Sequence, residues 1–173
     1  MDAELPVVEL HDERTVDRTP VDLPRLGTVM AQVLGREGVG PAAEAGLILV
    51  DEARIADLKA EYLDGDGSPT DVLSFPLDDG PPGSAAATPV LLGDVVICPS
   101  VAAAQAPDHA GSLTDELVLL TIHGALHLLG WDHADAHQES RMWAHERELM
   151  TELHGAPAGD PWRLTAPADG KVP

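Results

Sequence analysis

Residues 123–133, His-Gly-Ala-Leu-His-Leu-Leu-Gly-Trp-Asp-His, constrain this chain more than any other segment. They close an apolar run whose length predicts a helix over 113–129. On a helix, positions i and i+4 stand one turn apart on one face, with about 5–6 Å between Cβ atoms. His123 and His127 therefore look the same way. Gly130 can adopt positive φ, end the helix and turn the chain sharply. That turn lets His133 return to the same point from outside the helix.

Three imidazoles converging in this way suit one metal ion, at Zn–N distances of about 2.0–2.1 Å. A histidine pair at this spacing is by itself more often a surface or core pair. Here, however, the pair lies in a strongly apolar helix, where two unpartnered imidazoles would be costly to bury. The expectation is one Zn2+ per chain on His123, His127 and His133, although nickel or another transition ion also suits three imidazoles. Three protein ligands leave a fourth tetrahedral position for water, as in a catalytic rather than a closed structural site. The spacing equals that of the metzincin peptidases, His-Glu-x-x-His-x-x-Gly-x-x-His. Gly124 stands where those enzymes carry the glutamate that serves as general base, which argues against a zinc peptidase.

The remaining pattern is that of one domain over residues 1–155. Strands are expected at 5–10, 45–50, 71–75 and 91–98, and helices at 21–36, 51–63, 99–106, 113–129 and 135–153. Residues 76–90, rich in Pro, Gly, Asp and Ala, read as a surface loop, and 156–173 as a disordered tail. The single cysteine, Cys98, excludes an internal disulfide and reads as a small buried residue. No apolar stretch approaches the roughly 20 residues needed to span a bilayer, and the acidic start lacks signal-peptide character. A cytoplasmic protein without membrane partners is expected.

Thirty acidic residues against ten basic ones give a formal charge of −20. This fits a solvated acidic surface or a salty cytoplasm, and it argues against broad, non-specific polyanion binding. Arg54, Lys59, Arg141 and Arg147 read as a local basic patch or, more simply, as ordinary helix-surface charges. Asp94 is a candidate for orienting water or a ligand, against the simpler reading of a strand-edge acid. Glu116, seven residues before His123 on the same helical stripe, is a candidate partner behind the ligands, against a buried structural hydrogen bond. Asp132 reads as a residue that orients the turn. Phe75, Met142 and Trp143 read as core, and His11, His109, His137, His145 and His154 as surface residues.

Together, residues 123–133, Pro69–Pro76 (P-T-D-V-L-S-F-P), Leu92–Cys98 (L-G-D-V-V-I-C) and Glu116–Leu120 resemble the YbeY-type endoribonucleases, the ribosomal RNA maturation factors. The resemblance spans about residues 45–153. It implies an α+β fold, a small mixed β-sheet packed by helices, with a metzincin-like zinc site on a central helix and the following turn. It also implies zinc-dependent cleavage of single-stranded RNA in ribosomal RNA maturation and ribosome quality control. The implied partners are ribosomal RNA precursors and the small ribosomal subunit, not DNA. In that family an Arg often follows a Tyr before the P-T-D-V segment and is a candidate phosphate contact. Here Tyr62 is followed by Leu63 and Asp64. The rival readings are a non-catalytic, zinc-stabilised ribosome assembly factor and a zinc metallopeptidase.

Overall fold

The computed structural model describes residues 4–63, 65–77 and 90–163. Four strands, β1 (Val7–Asp12), β2 (Ala43–Leu49), β3 (Val72–Pro76) and β4 (Val90–Ile97), form one mixed sheet in the order β1-β2-β4-β3. β1 and β4 run parallel to β2, and β3 runs antiparallel to β4. The expected α+β class with a small mixed sheet is what the chain adopts.

Helix α1 (Leu23–Arg36) connects the first two strands. Its N-cap Asp22 accepts the Arg25 N–H at 3.1 Å. Leu26, Val29, Met30, Val33 and Leu34 form a buried stripe at helical spacing. Helix α2 (Glu52–Leu63) leads to β3, and the short α3 (Pro99–Gln105) follows β4. Helix α4 (Leu113–Leu128), capped by Ser112 on the Asp115 N–H, is buried on nearly every side. It runs between the sheet and the last helix, α5 (Ala136–Leu153), which is capped by Asp135.

The two sheet faces are covered differently. Leu47, Leu49, Val95 and Ile97 pack with α1 and α4 in the main core. Ile48, Leu73 and Val96 lie with Ile55 of α2 and Cys98 in a smaller cluster. Cys98 is fully buried, as its apolar setting in the sequence suggests.

β1 begins two residues later than its apolar content suggests and extends through His11 and Asp12, which pair with Ile48 and Leu49. It is an edge strand with little burial, so pairing to β2 rather than side-chain apolarity sets its limits. Most of the expected loop at 76–90 and the chain beyond Arg163 lie outside the described residues. Within the expected tail, residues 156–163 pack against the body of the protein. The Gly159 N–H donates to Ala110 O at 2.6 Å, the Ala158 N–H to Asp115 Oδ2 at 2.9 Å, and Trp162 joins the main core.

Candidate metal centre

The C-terminal end of α4 is built by local chemistry. Gly130 takes φ +96°, its N–H donates to His127 O at 3.1 Å, and the Trp131 N–H donates to Leu126 O at 3.1 Å. This pair of bonds is the Schellman arrangement, which closes a helix on a left-handed glycine. The chain then doubles back, and Asp132 Oδ1 accepts the His133 N–H at 2.7 Å. Asp132 thus orients the turn.

The result is a cluster of three imidazoles. His123, His127 and His133 each offer a ring nitrogen, and these atoms lie within 4.8 Å of one another. The Nε2 atoms of His123 and His127 are 3.0 Å apart, a spacing at which both can aim at one ion. Among the described residues no fourth side chain joins the group. Burial, then the neighbouring His123 and His133, hold His127 below the ordinary histidine range. It therefore presents a neutral lone pair at pH 7. The donor set fits a transition metal with a coordination position left for solvent.

The cluster opens into a groove of about 370 Å³. Its opposite wall is the β3 edge, with Val72, Ser74 and Pro76, and Leu63 at the end of α2. An apolar side chain thus lines the groove just after Tyr62, where the family resemblance suggests an arginine. No Lys or Arg lines this groove among the described residues. Lys59 faces Asp66 at 3.5 Å and Arg147 faces Asp160 at 3.8 Å. Arg141 lines a separate groove with Gly130, Trp131 and Asp132.

At Gly124 the helix touches the sheet. Ser74 Oγ donates to Gly124 O at 3.0 Å, and a Cβ on residue 124 would lie 2.6 Å from Val95 Cγ1. The position that carries the general base in metzincin peptidases is here pressed against β4. A glutamate could not be seated there without separating α4 from the sheet.

Two further candidates are placed away from the imidazoles. Asp94 alternates with Val95 along β4 and faces the opposite side of the sheet, in a groove with Glu9, His11 and Glu44. Glu116 is fully buried, but its carboxylate meets His109 Nδ1 at 2.7 Å and accepts from the Ala110 N–H at 3.0 Å and Gln105 Nε2 at 2.8 Å. His109 is consequently half-buried and paired rather than a free surface residue. His145 and His154 are likewise partly buried, against Glu37 and against Asp115 Oδ1. His11 and His137 are exposed.

The residue absent from the sequence reading is Glu146. It is 3% exposed, its Oε1 meets His123 Nδ1, and its Oε2 accepts from Trp162 Nε1 at 3.1 Å. A signal existed, since Met142, Glu146 and Leu149 fall on one buried stripe of α5, and an acid in such a stripe needs a partner.

Comparison with known proteins identifies the family. The model of the family described as endoribonuclease YbeY matches residues 13–154. The chain is 44% identical over 149 residues to the endoribonuclease YbeY of Mycolicibacterium vanbaalenii, covering 84% of this chain and 79% of that protein. It is 47% identical over 150 residues to that of Acidothermus cellulolyticus, covering 83% and 89%. The solution structure of TM1509 from Thermotoga maritima matches with a TM-score of 0.53 at 25% identity, covering 91% of this chain and 99% of that one. The family match takes in all three histidines and runs from the end of β1 to the end of α5: this chain belongs to the endoribonuclease YbeY family.

Proposed function

We propose that this protein is a zinc-dependent endoribonuclease that cuts single-stranded RNA during ribosomal RNA maturation and ribosome quality control in the cytoplasm. Its substrates are ribosomal RNA precursors, met on the small ribosomal subunit. The observation that carries this reading is the convergence of His123, His127 and His133 at the mouth of a groove, with no fourth protein ligand among the described residues. When bound, zinc supplies Lewis acidity, polarising a phosphoryl oxygen and making water a nucleophile near neutral pH.

The chain's own residues do the positioning. The Schellman turn presents His133, and Glu146 orients His123. The β3 edge leaves a trough along which an extended strand can lie. Gly124 removes the carboxylate that a peptidase would use, which counts against the metallopeptidase reading. None of the described residues brings a lysine or arginine to the groove wall. No helix of the described residues is long and apolar enough to cross a membrane.

Substitution of His127 by alanine tests the reading. The parent chain should carry about one zinc per molecule by elemental analysis and cleave a structured RNA with unpaired loops. His127→Ala and chelator treatment should each abolish both properties, while casein stays intact throughout. RNA cleavage that persists in metal-free protein would overturn the proposal.

A further inference from the structure

His123 has two ring nitrogens with different neighbours. Nε2 faces His127 Nε2, and Nδ1 faces Glu146 Oε1. A carboxylate that accepts from Nδ1–H fixes the tautomer whose Nε2 lone pair is available, and it also fixes the ring's direction. Glu146 is nearly inaccessible to water, so its second oxygen also needs a donor. That donor is the Trp162 indole N–H.

Trp162 is itself held firmly. Its segment is tied to the start of α4 through Ala158 and Gly159. The approach is so close that a Cβ at Gly111 would lie 2.5 Å from Gly159 N, and one at Gly159 would lie 2.4 Å from His109 O. The Arg147 guanidinium stands over the indole at 5.2 Å from the ring centre. Residues 156–163 lie beyond the 13–154 span of the family match.

We propose that the C-terminal segment 156–163 tunes the metal centre, with Trp162 fixing the Glu146 carboxylate that holds His123 in its ligating orientation. Trp162 and Glu146 are positioning residues, and the proposal rests on the reading of the three histidines as metal ligands. The simpler role for Trp162, an apolar plug in the core, requires only its ring area. The proposed role requires its N–H.

Zinc affinity of the full chain, measured by competition with a chromophoric chelator, separates the two roles. Outer partners of metal-bound histidines change affinity by about 10–100-fold. Trp162→Phe should weaken zinc binding by about tenfold and Glu146→Gln by about 10–100-fold. The double variant should bind no more weakly than Glu146→Gln alone, since Trp162 acts through Glu146. Benzothienylalanine at position 162 keeps the bicyclic shape and replaces the N–H by sulfur. It should reproduce the Phe result at a temperature where circular dichroism shows the metal-free variant to be folded, which covers the case of a Phe variant that fails to fold. With cobalt in place of zinc, the same variants should show an altered visible spectrum. Parent-like affinity with benzothienylalanine, or an equal further loss when Trp162→Phe is added to Glu146→Gln, overturns the proposal while leaving the metal site intact. A parent chain that takes up no zinc, or a His127→Ala variant that binds it equally well, overturns the underlying reading and the proposal with it.

Discussion

At Gly124 the absence of a side chain sets the distance between α4 and the sheet. Alanine is the better helix former by up to about 1 kcal/mol. Its Cβ would nevertheless meet Val95 Cγ1 at 2.6 Å and Ser74 Oγ at 3.3 Å. Val95 is β-branched and has few rotamers in which to retreat. Gly124→Ala should therefore lower stability by about 1–3 kcal/mol in urea unfolding, as overpacked cores do. Val95→Ala in the same chain should recover part of that loss, a non-additive pair. A Gly124→Ala variant as stable as its parent would show that the helix is not pressed onto the strand.

Among the elements, α3 and the 3-10 turn at Ala106–Asp108 bring His109 back to the first turn of α4, where Glu116 lies. Burial alone would raise the Glu116 pKa. The His109 hydrogen bond, the Ala110 N–H and Gln105 outweigh it and hold the carboxyl below its ordinary 4.5. The Glu116 hydrogen bond raises His109 above its ordinary 6.5, against the opposing effect of burial. The signs follow from linkage. The Glu116 contribution is present above about pH 4.5 and is lost as pH falls through the lowered folded-state pKa. The His109 contribution is complete below about pH 6.5 and is lost as pH rises through the raised one. Glu116→Gln should cost roughly 1.5–3 kcal/mol, the scale of a charged hydrogen bond. The deficit should be greatest between about pH 4.5 and 6.5 and shrink on both sides. Urea unfolding of both proteins across pH 3.5 to 8 measures it, and a deficit independent of pH would refute the pairing.

For the whole molecule, a charge of −20 on 173 residues means self-repulsion in the compact state. Several cations already have acidic partners, as with Arg36 and Glu152 or Lys59 and Asp66, and screening weakens those pairs. Raising KCl from about 0.01 to 1 M shortens the Debye length from about 30 to 3 Å. Repulsion among thirty carboxylates outweighs a handful of exposed pairs, each worth about 0–1 kcal/mol. Thermal melts of the metal-free protein should show Tm rising by at least about 2–4 °C, equivalent to about 1 kcal/mol at this size. A falling Tm would mean that the attractive pairs dominate.

The three histidines and the turn that gathers them were legible in the chain because they depend on local backbone geometry. A helical repeat places His123 above His127, and a glycine with positive φ returns His133, all within eleven residues. Most strands and helices were legible for a similar reason, since their periodicities are local, whereas the α+β class came with the family resemblance. The partners of those histidines were not. Glu146 reaches His123 only because α5 crosses α4 at one height, and Trp162 reaches Glu146 only because the chain folds back along the start of α4. Likewise, Asp94 faces away from the histidines because Val95 is the residue that packs on Gly124. Spacing along the chain specifies which residues share one element's face, whereas packing between elements decides what that face meets.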